Sequence, residues 1–189
     1  MTLVPRRLVK GDTIGIVSPA SPFPAWFPRR FARSVSNLES KGYKVKLGPH
    51  VRDKLGHKAG NKEDRLSDLH EMYRDKSVRL LMTTLGGYNS NELLDDLDYD
   101  LVRRNPKGLI GYSDITALHL AIHSKTGLTS FYGPHLMSQL VNSPTFFRIL
   151  WSVLRSWSVK PVQQVGLSLP RSGLKRGWNT IKKMIGLDQ

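Results

Sequence analysis

The chain has 189 residues, of which 39% are hydrophobic and 23% charged, and its net charge is +14. These proportions are typical of a soluble globular protein and argue against a disordered one. No apolar run reaches the roughly 18 residues of a membrane-spanning helix, and no signal-peptide core follows Met1. Without cysteine there are no disulfides and no thiolate metal sites. We expect a cytoplasmic protein of one domain, or of one domain plus a fragment of another.

The positive charge is concentrated in the C-terminal part of the chain. Residues 115–189 hold nine Lys and Arg side chains and a single acidic residue, Asp188. Such a basic surface favours non-specific association with nucleic acids. However, no basic-aromatic stripe, zinc-ligand spacing or recognition-helix pattern accompanies it. We therefore expect no specific nucleic-acid partner, and a basic binding module is kept only as an alternative function.

Short apolar strands alternate with helical periodicities along the first 135 residues. The predicted strands cover residues 13–18, 43–47, 78–85, 109–112 and 129–132. The predicted helices cover residues 27–41, 62–73 and 115–125, with one or two short helices in 91–104. This alternation predicts an α/β fold, a mostly parallel sheet with helices on both faces of the Rossmann-like or flavodoxin-like kind. Sites in such sheets form at the carboxyl ends of the strands, here the loops 18–22, 86–91, 112–114 and 133–136.

The periodic pattern fades beyond about residue 155. Residues 156–173 mix Pro, Ser, Gln and Gly and are typical of a linker. The apolar spacing from Leu174 to Ile185 is compatible with a short basic helix, which we expect to pack on its own protein rather than on a membrane. The predicted organisation is an α/β domain over residues 1–155 and a poorly packed, linker-like basic tail over residues 156–189.

Ser113 lies between the fourth predicted strand and the following helix, in the run GYSD. A serine here can cap the helix, because its hydroxyl accepts a free N–H of the first turn, and Asp114 suits the helix dipole. It can also be a nucleophile elbow, in which a sharp strand–turn–helix connection lifts the serine Oγ above the sheet. Gly111 fits the elbow pattern, but Ile115 stands where its second glycine belongs. The spacing leaves both interpretations open.

Gly86 and Gly87 follow the third predicted strand, so they are expected at the same edge of the sheet as Ser113. A glycine pair can leave backbone N–H groups free to donate to a developing oxyanion. The Asp114 N–H, at the start of the helix, is a second candidate donor. A plain flexible turn is the alternative interpretation of the two glycines.

Three stretches in register resemble the LD-carboxypeptidase family of serine peptidases. They are GDTIGIVSPASP at 11–22, AGNKEDRLSDL at 59–69 and TTLGGYNSNELLDDLDYDLVRRNPKGLIGYSDITALHLAIHSKTGLTSFYGP at 83–134. The GGYNSN form is most similar to the branch that contains the microcin C self-immunity peptidases. Matched by motif, the resemblance implies that Ser113 is the nucleophile and that the backbone amides of Gly87 and Asp114 form the oxyanion hole.

The resemblance also implies a substrate class. Members of the family hydrolyse amide bonds next to a free carboxylate, in murein tetrapeptides or in peptidyl-nucleotides of the microcin C kind. They act in the cytoplasm, without metal or cofactor, and often form dimers. The expected partner is therefore a peptide or peptidyl-nucleotide substrate, with a homodimer as a further expectation.

A serine hydroxyl is a weak nucleophile until an oriented base takes its proton. The resemblance implies that a second, C-terminal domain supplies this base, a histidine, together with a glutamate. No glutamate follows Ser113 in this chain, and its later histidines are His119, His123 and His135. The first two are expected on the helix that leads away from the sheet edge, so only His135 offers a substitute base.

From these absences we expect a chain without the family's C-terminal domain, truncated and inactive or weakly active by itself. A non-catalytic peptide-binding module, or pseudoenzyme, is the alternative.

Overall fold

The computed structural model describes residues 2–138. Its strands are β1 (Thr13–Val17), β2 (Lys44–Leu47), β3 (Val78–Thr83), β4 (Gly108–Gly111) and β5 (Phe131–Tyr132). Its helices are α1 (Phe23–Trp26), α2 (Pro28–Ser40), α3 (Lys62–Arg74), α4 (Tyr99–Arg104) and α5 (Thr116–Thr126), with 3₁₀ turns at Ser90–Leu93 and Ser113–Ile115. The predicted tail over residues 156–189, and residues 139–155 of the predicted domain, lie outside the described residues.

The five strands form one sheet in the order β2-β1-β3-β4-β5, and every pair of neighbours is parallel. This confirms the predicted α/β class, and the order is the flavodoxin-like one. The strand order reverses direction between β1 and β3, and a crevice forms where the loops leaving those two strands diverge. The loops after β1, β3, β4 and β5 therefore meet at one edge of the sheet.

Apolar side chains cover both faces of the sheet, because a parallel sheet is buried on both sides. Alternate strand residues point to opposite faces. One face packs against α2 and the other against α3, α4 and α5. The residues of the first face include Ile14, Ile16, Leu80, Met82 and Ile110, and those of the second include Val17, Val78, Leu81 and Leu109. None of the helices in this part of the chain is long and apolar enough to cross a lipid bilayer.

Shortening Leu81, which is fully buried in β3, should lower the free energy of unfolding markedly. We expect Leu81→Ala to cost about 2–5 kcal/mol, because it removes apolar contacts and leaves a cavity. Leu120→Ala is the matched control, since that leucine on α5 is 66% exposed, and we expect it to cost less than about 0.5 kcal/mol. Urea unfolding of the two variants measures the difference, and equal losses would contradict this description of the core.

Candidate active site

The turn between β4 and α5 holds Ser113 in a strained backbone conformation. Its φ is +59°, and no other non-glycine residue in the described part of the chain has a positive φ. A left-handed conformation costs an ordinary residue about 1–3 kcal/mol and persists only where the surrounding structure enforces it. Gly111 allows the close packing before this turn, because a Cβ there would lie 2.5 Å from Thr83 Oγ1 and 3.0 Å from Ile115 Cγ2. The backbone has the form of a nucleophile elbow.

The capping interpretation of Ser113 is not supported by the structure. The residue opens a 3₁₀ turn, and its hydroxyl makes no capping hydrogen bond in the described region. Instead, the Thr116 hydroxyl donates to the Ser113 carbonyl oxygen at 2.5 Å. The Ser113 side chain is exposed at the edge of the sheet. Its hydroxyl is thus available to a bound molecule rather than committed to the helix.

Asp114 fastens the elbow to the loop that follows β3. Its Oδ2 accepts the backbone N–H of Asn89 at 3.2 Å and that of Ser90 at 3.1 Å. The Ser90 hydroxyl donates in return to the Asp114 carbonyl oxygen at 2.7 Å. Because three hydrogen bonds join them, the serine turn and the glycine loop are held as one unit.

Gly86 lies where the site residues converge. A Cβ on it would stand 3.4 Å from His135 Nε2 and 3.5 Å from both the Asp114 backbone nitrogen and Ser113 Cβ. The predicted meeting of the glycine pair with the serine turn is therefore correct. Gly87 approaches the first loop as closely, since a Cβ there would lie 3.0 Å from Ala20 Cβ. The oxyanion-hole role of the Gly87 and Asp114 amides stays a prediction.

A cleft of about 440 Å³ opens over this corner. Its volume falls within the range of small-molecule sites. All four loops that the sequence pointed to contribute to its lining, with Ser21, Gly86, Gly87, Ser113 and His135 among their residues.

Sequence reasoning missed the other wall of the cleft. Phe23 and Trp26 of α1 and His57 line it, beside Tyr88 of the predicted loop 86–91. The signal of Phe23 and Trp26 was present, because the segment from Pro22 to Pro28 holds three aromatic residues, but no element was predicted between the loop 18–22 and the helix that begins at residue 27. The Phe23 ring contacts the Trp26 ring with centroids 5.8 Å apart. The cleft therefore offers a backbone-lined corner beside an aromatic wall.

His135 is buried behind the serine turn, with 1% of its surface exposed. Its Nδ1 is 2.7 Å from Thr83 Oγ1, and the Thr83 hydroxyl donates to the Ile110 carbonyl oxygen at 3.1 Å. Since that hydroxyl hydrogen is already used, Nδ1–H is the donor to Thr83 and Nε2 carries no proton. The imidazole stacks on the Tyr112 ring at 4.4 Å. The buried Nε2 has no hydrogen-bond partner in the described region.

His135 was expected at the edge of the sheet near Ser113, and it is there. Burial lowers its pKa to about 4, although the nearby backbone of Tyr112 acts in the opposite direction. It is therefore a neutral and weakly basic imidazole at pH 7. No hydrogen bond joins it to Ser113 among the described residues, and its role as a substitute base stays a prediction.

The other two histidines, His119 and His123, make hydrogen bonds within the fold. His119 Nε2 donates to the Gly111 carbonyl oxygen at 2.9 Å, and its Nδ1 is 2.8 Å from the Ser130 hydroxyl. The His119 side chain thus reaches the end of β4, whereas the sequence placed it on a helix leading away from the sheet edge. Both of its ring nitrogens make hydrogen bonds within the fold. His123 Nδ1 is 3.2 Å from the Leu128 carbonyl oxygen.

The buried His135 should make the fold sensitive to acid. Its pKa of about 4 lies below the ordinary value of 6.5, so the unfolded chain binds the proton more readily. The stabilisation is complete above about pH 6.5 and is lost as the pH falls towards 4. Between pH 7 and pH 5 we expect this residue to account for about 2 kcal/mol of lost stability.

Urea unfolding of wild type and His135→Gln at both pH values tests this, because the variant should lose that part of the pH dependence. His57→Gln is the control, since that histidine is exposed. An unchanged pH dependence in His135→Gln would contradict the assigned burial.

Arg65 connects two of the cleft loops from behind, and its side chain is only 1% exposed. Its Nη1 donates to the Pro19 carbonyl oxygen at 3.0 Å and to the Asn89 carbonyl oxygen at 3.3 Å. Its Nη2 donates to Glu92 at 2.6 Å. The sequence placed Arg65 in a motif but gave it no role, whereas the structure shows it holding the loops after β1 and β3 together.

Comparison with known proteins gives consistent matches. The sequence model of the LD-carboxypeptidase N-terminal domain matches residues 14–133. The chain is 42% identical to a probable murein peptide carboxypeptidase of Bacillus subtilis over 136 residues, which cover 72% of this chain and 42% of the relative. It is 38% identical to the microcin C7 self-immunity protein MccF of Escherichia coli over 149 residues, covering 79% and 43%.

The solved structures agree with these sequence matches. The wild-type apo structure of MccF superposes with a TM-score of 0.80 at 35% identity, covering 83% of this chain and 48% of that one. The chain spans about half the length of the curated relatives it matches. With the family model, the relatives and the fold in agreement, this chain belongs to the LD-carboxypeptidase family.

Proposed function

We propose that this chain carries the nucleophile of a serine carboxypeptidase site, which hydrolyses an amide bond next to a terminal carboxylate. The observation that carries the proposal is the positive φ of Ser113, whose exposed hydroxyl stands beside the glycine loop. A cytoplasmic location and a homodimer, both implied by the family resemblance, belong to the same proposal.

The proposed reaction follows from these groups. Ser113 Oγ attacks the amide carbonyl carbon while a base removes its proton, and the Gly87 and Asp114 N–H groups donate to the developing oxyanion. The intermediate then collapses: the C–N bond breaks, and the leaving nitrogen takes up the proton. Water hydrolyses the acyl-serine by the same steps and regenerates the hydroxyl.

Two substrate classes are consistent with the cleft. Relatives are named as murein peptide carboxypeptidases and as MccF, and MccF has been solved with aspartyl sulfamoyl adenosine and with glutamyl sulfamoyl guanosine. The aromatic wall of Phe23, Trp26 and Tyr88 suits a flat ring, since aromatic faces stack on one another. We therefore propose a murein tetrapeptide or a peptidyl-nucleotide as substrate, with the wall favouring the latter.

The proposed mechanism needs a general base that takes the proton from Ser113 Oγ. Ser113 has no hydrogen-bonded base among the described residues, and the resemblance implies a histidine and a glutamate from the family's C-terminal domain. We propose that the 189-residue chain alone turns over slowly. The same observation favours a second candidate, a pseudoenzyme that binds the peptide without cleaving it.

A chimera separates the two candidates. In it, residues 1–138 replace the matching half of the Bacillus subtilis relative, so that the C-terminal half of that protein completes the site. Incubation with murein tetrapeptide and with a peptidyl-nucleotide, followed by mass spectrometry, measures release of the terminal product. Turnover by the chimera well above that of the chain alone supports the carboxypeptidase. Binding of either compound without turnover in the folded chimera supports the pseudoenzyme.

A further inference from the structure

The loop between β2 and α3 brings three metal-ligating side chains together. His50 and Asp53 come from this loop, and Asp64 comes from the first turn of α3. One ligand atom of each lies within 4.8 Å of those of the other two, and all three residues are partly buried. His50 Nε2 is 3.6 Å from Asp64 Oδ1.

The imidazole of His50 is oriented by a buried carboxylate. Asp68 has a side chain only 3% exposed, and its Oδ1 accepts a hydrogen bond from His50 Nδ1 at 2.9 Å. It also accepts the His50 backbone N–H. With Nδ1 occupied, the free ring nitrogen is Nε2, which makes no hydrogen bond in the described region. A carboxylate behind one ring nitrogen is the usual support of a metal-bound histidine.

Three basic residues nearby have partners outside the cluster. Arg52 lies over the Phe31 ring at 5.1 Å, Lys58 pairs with Glu92, and Lys62 pairs with Asp96 at 2.5 Å. Within the described residues, neither of the carboxylates of the cluster has a Lys or Arg partner.

We propose that His50 Nε2, Asp53 and Asp64 bind one divalent transition-metal ion such as Zn²⁺, with water completing its coordination. One imidazole and two carboxylates suit this class of ion better than Ca²⁺ or Mg²⁺, which prefer all-oxygen sites. Ligand atoms around tetrahedral zinc stand about 3.4 Å apart, so the side chains converge by roughly 1 Å on binding. The ion links the loop to α3, and its binding energy stabilises the loop. This site is independent of the proposed hydrolysis.

Isothermal titration of the chelator-treated 189-residue chain with Zn²⁺ tests the proposal. The neighbouring carboxylates, Asp68 first, raise the pKa of His50, so the titration is run at about pH 7.5, where the imidazole gives up its proton to the metal. We expect one ion per chain, and at least a tenfold weaker binding in His50→Gln and in Asp64→Asn. His57→Gln and Asp96→Asn are matched controls outside the cluster, and they should bind as wild type does.

A second measurement keeps the result interpretable if a variant is destabilised. Zn²⁺ should protect the amides of residues 50–60 from hydrogen exchange in wild type and in Asp96→Asn, but not in Asp64→Asn. Absence of binding at millimolar Zn²⁺ overturns the proposal. So does binding that the His50 and Asp64 variants retain at full strength, which would mark an adventitious ion only.

Discussion

Ser113→Ala should reduce the turnover of the chimera by about 10³- to 10⁶-fold. The substitution removes the attacking oxygen, while the oxyanion hole and the cleft remain and leave a small residual rate. Steady-state rates at equal folded concentration measure the loss. Ser124→Ala is the matched control, because this serine on α5 is exposed and, within residues 2–138, its hydroxyl donates only to the Ala121 carbonyl oxygen. It should leave the rate within about twofold.

The isolated chain gives the complementary result. If Ser113 has no activating base there, Ser113→Ala and His135→Ala should both leave its near-background rate unchanged. Robust turnover by the wild-type chain that both substitutions abolish would instead make His135 the base of a dyad. A chimera whose turnover survives Ser113→Ala would remove the serine from the mechanism altogether.

Arg65→Met should lower the free energy of unfolding by about 2–4 kcal/mol. Methionine keeps much of the volume, but the Pro19 carbonyl group loses its donor and the Asn89 carbonyl group keeps only the Glu92 backbone N–H. Glu92 keeps Lys58 as a partner, so the loss comes mainly from the two carbonyls. Arg74→Met is the matched control on the same helix, since Arg74 is exposed, and it should cost less than about 0.5 kcal/mol.

The same variant should also lower the activity of the chimera. The loops that Arg65 joins carry Ser21 and Gly87 into the cleft, and small displacements of catalytic groups cost large factors in rate. Urea unfolding and turnover are measured on the same preparations. An Arg65→Met variant as stable as Arg74→Met would show that the buried hydrogen bonds contribute little to stability. Full activity of the Arg65→Met chimera would contradict the positioning role of Arg65.

The helices and strands were predictable where local periodicity carries the information. The helix predicted over residues 27–41 is α2 (Pro28–Ser40), and the one predicted over 62–73 is α3 (Lys62–Arg74). Strand ends were less accurate because pairing decides them. β5 has two residues instead of four, since only Phe131 and Tyr132 pair with β4. Helix α1 was missed, although proline is well tolerated at the start of a helix.

The candidate site was predictable in position but not in detail. Topology brings the carboxyl ends of parallel strands together, so the loops could be named from the sequence. Whether Ser113 caps or strains its turn depends on a φ angle that the letters GYSD do not specify. The burial of His135 arises from Tyr112 and Thr83, which approach it only in the folded sheet. Arg65 was likewise recognisable only once its carbonyl partners had come together.

The backbone strain at Ser113 has a consequence for attempts to stabilise this protein. Glycine would occupy the same left-handed conformation without penalty, so position 113 is one where a gain in thermal stability is readily found. A screen that rewards heat resistance alone would favour that change and discard the hydroxyl. Directed evolution of this scaffold therefore needs a selection for turnover at every round.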